Sequence, residues 1–353
     1  MDMKMDIKMI EGRLVRGLGQ ASDFTRIEWV RRQFMDLAGI DPHPGTVNLE
    51  LVDEDHRERW VAWRAGRGQV MEPGAEGFCS ARCYSVRISG RIPAAIVLPE
   101  VDGYPDEKIE MVAALPVREH LSLAEGDSVG IELCGPLAAK AVMFDIDGTI
   151  VDSMGAYLEV ARLAAAPHGF EVSGEHVRRS LATGSSFWNG VVPLDTPDRE
   201  AVVKAMSAHA GREWPRVLRE HGRTFAGLEQ TLDVLKRFGI ALGIVSGARP
   251  EVLDILREDG ILDRFDTVIL GADVARRKPD PEGILECLRR LGIAPDAAIY
   301  VGDSAVDIQA SRAAGVRSVG VLTGAADSAT LSAHWPDRLV SSHSGLVAIV
   351  EAI

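Results

Sequence analysis

Apolar positions follow two different rhythms along this chain, and the change falls near Cys134-Gly135-Pro136-Leu137. Upstream, short β-like runs at Arg13–Val15, Thr46–Val52, Cys83–Ile88, Ala94–Leu98, Ile109–Ala114 and Ser128–Leu133 are broken by Gly and Pro. Such punctuation predicts an all-β barrel or sandwich. Ile27, Val30, Phe34 and Leu37 recur at helical spacing and predict a helix over Arg26–Ala38. Downstream, the apolar runs Ala141–Phe144, Ala241–Val245, Thr267–Leu270, Ala298–Val301 and Ser318–Val321 read as buried parallel strands. They alternate with the helical stretches Glu229–Phe238, Pro250–Asp259, Pro281–Leu291 and Ala305–Ala314, which predicts a doubly wound α/β domain. From about Gly155 to Arg223 no strand run occurs, so a helical insert follows the first strand and its loop. The chain therefore divides into an all-β domain over residues 1–136 and an α/β domain over 140–353.

The length of 353 residues fits two domains. The net charge of −13 is shared by both halves, so neither reads as a basic nucleic-acid module, and no helix-turn-helix pattern occurs. No apolar run approaches a membrane span, and the start MDMKMDIKMI lacks the apolar core of a signal peptide. A cytoplasmic location and small-molecule partners are expected, with neither a membrane nor a nucleic acid among them. Cys79, Cys83, Cys134 and Cys287 fit reduced thiols better than a disulfide framework, and no second pair stands at zinc-site spacing.

The strongest chemical signal is Phe144-Asp145-Ile146-Asp147-Gly148-Thr149, with two carboxylates at the end of an apolar strand. One can attack phosphorus while the other handles protons, and crowded carboxylates call for a cation such as Mg²⁺. Later strand ends carry Val245-Ser246-Gly247, Lys278-Pro279-Asp280 and Tyr300-Val301-Gly302-Asp303, the last running on to Asp307. Each alone is an ordinary turn, but the ordered set is specific. It resembles the haloacid dehalogenase superfamily of phosphohydrolases over roughly residues 140–353. The resemblance implies that Asp145 is a nucleophile forming an aspartyl-phosphate and that Asp147 is the general acid and base. It implies that Thr149 and Ser246 hold phosphoryl oxygens and that Lys278 offsets charge. Mg²⁺ would be held by Asp145, Asp303 and the backbone carbonyl of Asp147, with Asp307 in support. The insert stands where this family carries a helical cap, and Thr183 to Ser186 and Trp188 are candidates to reach the substrate. Trp188 reads equally well as cap core.

The first block contains no P-loop signature. Arg16-Gly17-Leu18-Gly19-Gln20 follows a short strand, and Pro42-His43-Pro44-Gly45-Thr46-Val47-Asn48-Leu49 is a tight turn entering another. Thr46 and Asn48, two apart, share one strand face. With Ala95-Ile96-Val97-Leu98-Pro99 and Pro116-Val117-Arg118-Glu119, these segments resemble the archaeal-type riboflavin kinase family over about residues 9–135. That family has a cradle-loop β-barrel and uses CTP. The resemblance implies that Gly17, Leu18, Gly19, Gln20, Ala21 and Ser22 line the CTP phosphates and that Leu115, Pro116, Val117 and Arg118 meet the nucleotide. Thr46 and Asn48 would bind Mg²⁺, and Glu110 and Asp102 would contact the flavin. A Thr is commoner at Asp102 and a basic residue at Pro116. The second departure leaves Arg118 to carry more of the nucleotide's charge.

Together the two resemblances imply a bifunctional enzyme. It would phosphorylate riboflavin from CTP and hydrolyse a phosphate monoester, with Mg²⁺ in both domains. The phosphorylated ribitylamino-pyrimidine precursor of riboflavin shares the ribityl chain and is the candidate ester. The alternative is a phosphoglycolate-type phosphatase whose barrel senses flavin or nucleotide.

Overall fold

Strict alternation builds the first unit. Strand β1 (Met9–Val15) turns Ile10 and Leu14 inward and leaves Met9, Glu11 and Arg13 exposed, the period of a half-buried strand. The computed structural model describes residues 9–17, 21–65, 68–101, 103–105, 107–135, 137–185 and 187–352. A short helical turn α1 (Ala21–Phe24) and helix α2 (Glu28–Ala38) lead to β2 (Val47–Glu50), α3 (Glu54–Arg64) and β3 (Gln69–Met71). Strands β4 (Ala81–Ile88), β5 (Ile92–Pro99), β6 (Lys108–Ala113) and β7 (Ser128–Leu133) follow, with α4 (Val117–His120) between the last two. The sheet runs β4-β5-β6-β2-β1-β7, and β7 pairs again with β4. The six strands thus close an antiparallel barrel without open edges. Strand β3 pairs outside this ring on β4.

The predicted strands all form, with ends moved by pairing: β1 begins at Met9 because Met9 and Ile10 find partners Glu132 and Ile131 on β7. Helix α2 starts at Glu28, since Ile27 is extended. It lays Val30, Phe34 and Ala38 against Ala81, Cys83, Ala95, Val97 and Val112 of the barrel wall. Helix α3 had no sequence signal. Its sequence EDHRERWVAWR is mostly charged, and only Trp60 and Trp63 bury. The Asp53 side chain accepts a hydrogen bond from the His56 amide to start it.

Strand β8 (Leu137–Ala139) spans the boundary, and the second unit continues with β9 (Ala141–Phe144), whose four residues are all buried. The two-residue strands β10 (Val151–Asp152) and β11 (Arg223–Thr224) pair with each other and bracket α5 (Met154–Ala165), α6 (Gly174–Thr183) and α7 (Arg199–His221). This is the helical insert, within two residues of its expected ends. Its core joins Ala161, Ala164, Val177, Val192 and Met206. Beyond the insert come α8 (Leu228–Arg237), β12 (Ala241–Val245), α9 (Val252–Glu258), β13 (Thr267–Ile269), α10 (Glu282–Leu291), β14 (Ala298–Gly302), α11 (Ala305–Ala313), β15 (Arg317–Val321), α12 (Ser328–Ser332), β16 (Arg338–Val340), α13 (His343–Ile349) and β17 (Val350–Ala352).

The parallel strands run β13-β12-β9-β14-β15. Strand β9 is first in sequence and central in space, so the chain leaves it to opposite sides. At such a switch point the loops after β9, β12 and β14 diverge and leave a crevice. The units comprise residues 1–137 with 338–341, and 138–337 with 342–353.

Phe34 is fully buried on α2. Phe34→Ala is expected to destabilise the first unit by about 3–5 kcal/mol, read as a lower urea midpoint for that unit. A change below about 1 kcal/mol would contradict the packing described.

Candidate active sites

At the end of β9 the chain folds back on itself. The amides of Thr149, Ile150 and Val151 all donate to the Ile146 carbonyl, at 3.1, 2.7 and 2.9 Å. Gly148 closes the turn at φ +73°, and a Cβ there would lie 2.4 Å from Asp303 Oδ2. The turn lets Asp145 and Asp147 serve one crevice although strand alternation alone would separate them.

Lys278 is the hub. Its Nζ lies 2.9 Å from Asp145 Oδ1 and 2.5 Å from Asp307 Oδ1. It also donates to Tyr300 Oη at 2.8 Å, and that hydroxyl donates to the Val245 carbonyl at 2.6 Å. Asp307 is fully buried and caps α11: its Oδ2 accepts from the Ser304 amide at 3.0 Å and hydroxyl at 2.5 Å. Asp303 Oδ2 accepts from the Ala325 amide at 2.7 Å. Asp145, Asp303 and Asp307 each bring a carboxylate oxygen within 4.8 Å of the others.

Four carboxylates thus face one ammonium. Burial pushes the Asp145 carboxyl up to about 6; Lys278 opposes this, Asp307 and Asp147 reinforce it, and a Ser246 hydrogen bond opposes it. Burial also raises Asp147, against the nearby Ser153 hydroxyl and the hydrogen bond from Tyr157. Asp303 is driven well above its usual range by burial and then by Asp307 and Asp145. Burial works against the Lys278 charge, but Asp145 and Asp307 hold it well above its ordinary value. Unrelieved negative charge on an all-oxygen donor set fits a hard divalent cation.

Asp147 opens onto a cavity of about 390 Å³ roofed by the helical insert. Its walls include Tyr157, Phe187, Trp188, Trp214, Arg249 and Arg277. Tyr157 and Trp214 lie 4.5 Å apart between ring centroids, and Phe187 meets Trp188 edge-on at 4.9 Å. Trp188 therefore fills both roles: it packs on the insert's core and lines the cavity.

The Thr149 side chain is fully buried and donates to Asp303 Oδ1 at 3.4 Å. Thr183, Gly184 and Ser185 are not cavity walls. They close α6: the Thr183 hydroxyl returns to the Arg179 carbonyl, Gly184 is left-handed, and the Ser185 amide donates to Ser180. Ser186 lies outside the described residues.

In the barrel, Asn48 Nδ2 donates to Thr46 Oγ1 at 3.1 Å, so the two share a face as their spacing requires. Gly17 lies against them: a Cβ there would sit 2.4 Å from Asn48 Nδ2. Glu110 stands directly opposite Asn48 across the β2–β6 ladder. Beside it, burial and the Glu110 charge push the Tyr104 hydroxyl up to about 12. A cavity of about 190 Å³ is lined by Thr46, Leu115, Pro116, Val117 and Arg118. Pro116, extended, leads into α4 where its missing N–H is harmless. Arg118 is partly committed, since its Nη2 donates to the Val15 carbonyl at 2.8 Å. Leu18, Gly19, Gln20 and Asp102 lie outside the described residues, and Ala21 and Ser22 are described only as the backbone of α1.

Comparison with known proteins adds to this geometry. The family model for haloacid dehalogenase-like hydrolases matches residues 142–321. This chain belongs to that family. A phosphoglycolate phosphatase of Salmonella paratyphi A is 30% identical over 230 residues, 59% of this chain and 91% of the relative. The crystal structure of a haloacid dehalogenase-like hydrolase from Bacteroides fragilis matches with a TM-score of 0.51 at 31% identity, covering 59% of this chain and 99% of that one. The model of the CTP-dependent riboflavin kinase domain, described as domain of unknown function DUF120, matches residues 14–133. A riboflavin kinase of Methanocella arvoryzae is 34% identical over 129 residues, 35% of this chain and 56% of the relative. The chain thus spans little more than half the length of that kinase.

Sequence reasoning missed the supports of the hydrolase site. Thr323 Oγ1 donates to the Gly148 carbonyl at 2.7 Å, and a Cβ on Gly324 would sit 2.0 Å from Asp303 Oδ2. The signal was Thr323-Gly324-Ala325 after β15, one strand end beyond those considered. Gly324→Ala is expected to displace Asp303 and lower phosphate-ester turnover on the order of 100-fold, while circular dichroism stays unchanged. Full activity in this variant would mean that Asp303 is not held as described.

Proposed function

We propose that the chain is a bifunctional enzyme, a CTP-dependent riboflavin kinase followed by a phosphomonoesterase. The supporting observation is that each unit carries its own constellation for handling phosphate. In the hydrolase unit, an Asp145 carboxylate oxygen attacks phosphorus as the ester P–O bond breaks. Its electron pair leaves on the alcohol oxygen, which takes a proton from Asp147. Water then attacks the aspartyl-phosphate, gives its proton to Asp147 and releases phosphate, restoring the Asp145 carboxylate. Lys278 and Ser246 offset and bind phosphoryl charge. Asp145, Asp303 and the Asp147 carbonyl would hold Mg²⁺, which when bound supplies further neutralisation of phosphate charge.

In the barrel, the riboflavin 5′-hydroxyl attacks the γ-phosphorus of CTP and passes its proton to water, and CDP departs with the bridging oxygen. Positioning and charge neutralisation carry such a transfer. The residues from Gly17 to Ser22 line the CTP phosphates, and Leu115 to Arg118 meet the nucleotide. Thr46 Oγ1 and Asn48 Oδ1 would hold Mg²⁺, and Glu110 and Asp102 contact the flavin.

The ester we favour is the phosphorylated ribitylamino-pyrimidine precursor of riboflavin. Fusion to a riboflavin kinase block supports a shared pathway, and the cavity's four aromatic walls and two arginines suit a flat, hydrogen-bonding ring. The second reading takes phosphoglycolate, the substrate named for the Salmonella relative, and makes the barrel a sensor. A two-carbon ester leaves those rings without a partner.

In Asp145→Asn, which cannot erase product, riboflavin with Mg²⁺ and CTP is expected to give FMN by chromatography, and ATP none. Thr46→Ala with Asn48→Ala is expected to abolish it. Flavin binding without FMN from either nucleotide would favour the sensor. The full chain should hydrolyse the ribitylamino-pyrimidine phosphate well and FMN slowly; rapid FMN hydrolysis would set the two units against each other and end the shared-pathway reading.

A further inference from the structure

One side chain of the helical insert reaches the reacting carboxylates. Tyr157 Oη, on α5, donates to Asp147 Oδ2 at 3.1 Å. The other oxygen, Asp147 Oδ1, is buried without a hydrogen-bond partner, and Asp147 lines the cavity. A carboxyl group held by one oxygen presents the other in a fixed direction. The Tyr157 ring is itself set by Trp214 at 4.5 Å, from the helix α7 packed along α5. Both rings form the cavity wall where the alcohol part of an ester would lie.

We propose that Tyr157 is a positioning residue that fixes Asp147 by Oδ2 so that Oδ1 meets the leaving oxygen, with Trp214 holding its ring in place. This rests on the phosphomonoesterase reading. In the step concerned, the bond from phosphorus to the leaving oxygen breaks and the proton on Asp147 passes to that oxygen. Tyr157 neither gains nor loses a proton; it controls where the carboxyl points. The need for that aim scales with the basicity of the leaving group. A nitrophenolate leaves without a proton, whereas an alkoxide does not.

The test compares para-nitrophenyl phosphate with phenethyl phosphate, both carrying a flat ring, in the full chain with Mg²⁺. Tyr157→Phe removes only the hydroxyl. In the first turnover, before Asp147 acts as base toward water, it is expected to slow alcohol release from phenethyl phosphate on the order of 10- to 100-fold, a large part of what a positioned general acid supplies. KM should stay within a factor of about three, and first-turnover nitrophenolate release should slow less than about threefold. Trp214→Phe keeps the Tyr157 hydroxyl but loosens its ring. It should show the same selectivity in smaller degree, and it decides the matter if Tyr157→Phe melts early. Equal losses on both esters, or none on phenethyl phosphate, would overturn the proposal. Wild-type protein inert toward both esters would instead overturn the phosphomonoesterase reading, and the role of Tyr157 with it.

Discussion

The hydrolase unit depends on one buried cation. Lys278 sits between Asp145 and Asp307 with little access to water. A buried ion pair is costly unless every partner is well placed. Here strand ends place them: Asp145 follows β9, Lys278 follows β13, and Asp307 stands in the first turn of α11 after β14. Tyr300, from within β14, ties the ammonium back to the Val245 carbonyl on β12. Three strands of the sheet therefore converge on one ammonium group. The doubly wound order, with β9 in the middle, is what permits it.

That ammonium does not balance the site. Asp145, Asp147 and Asp303 all have carboxyls raised by burial. The protein accepts this frustration at its reacting centre and compensates in the scaffold, with glycines at 148 and 324 leaving room for Asp303 and a serine cap under Asp307. The barrel's candidate site carries fewer charges. Its Thr46 and Asn48 oxygens are neutral, and Glu110 stands across the ladder.

Much of this was legible in the sequence. Strand ends carrying Asp145, Ser246, Lys278 and Asp303 announced a site because each short apolar run is unmistakable when both faces are buried. The alternation of β1 and the spacing of Thr46 and Asn48 likewise fixed a face. What could not be read were contacts made at a distance. Tyr157 looks like any apolar-face residue of α5 until the insert folds over the crevice. Nothing in the sequence around Thr149 shows that its hydroxyl donates to Asp303. Helix α3 hid because two tryptophans anchor an otherwise charged segment.

The carboxylate cluster around Lys278 calls for a divalent cation to complete it. Equilibrium dialysis of magnesium against the full chain, without nucleotide, tests this most directly. Wild type should retain magnesium, and Asp303→Asn, equally folded by circular dichroism, should lose it. Retention unchanged in Asp303→Asn, or no retention by wild type at millimolar magnesium, would contradict the account.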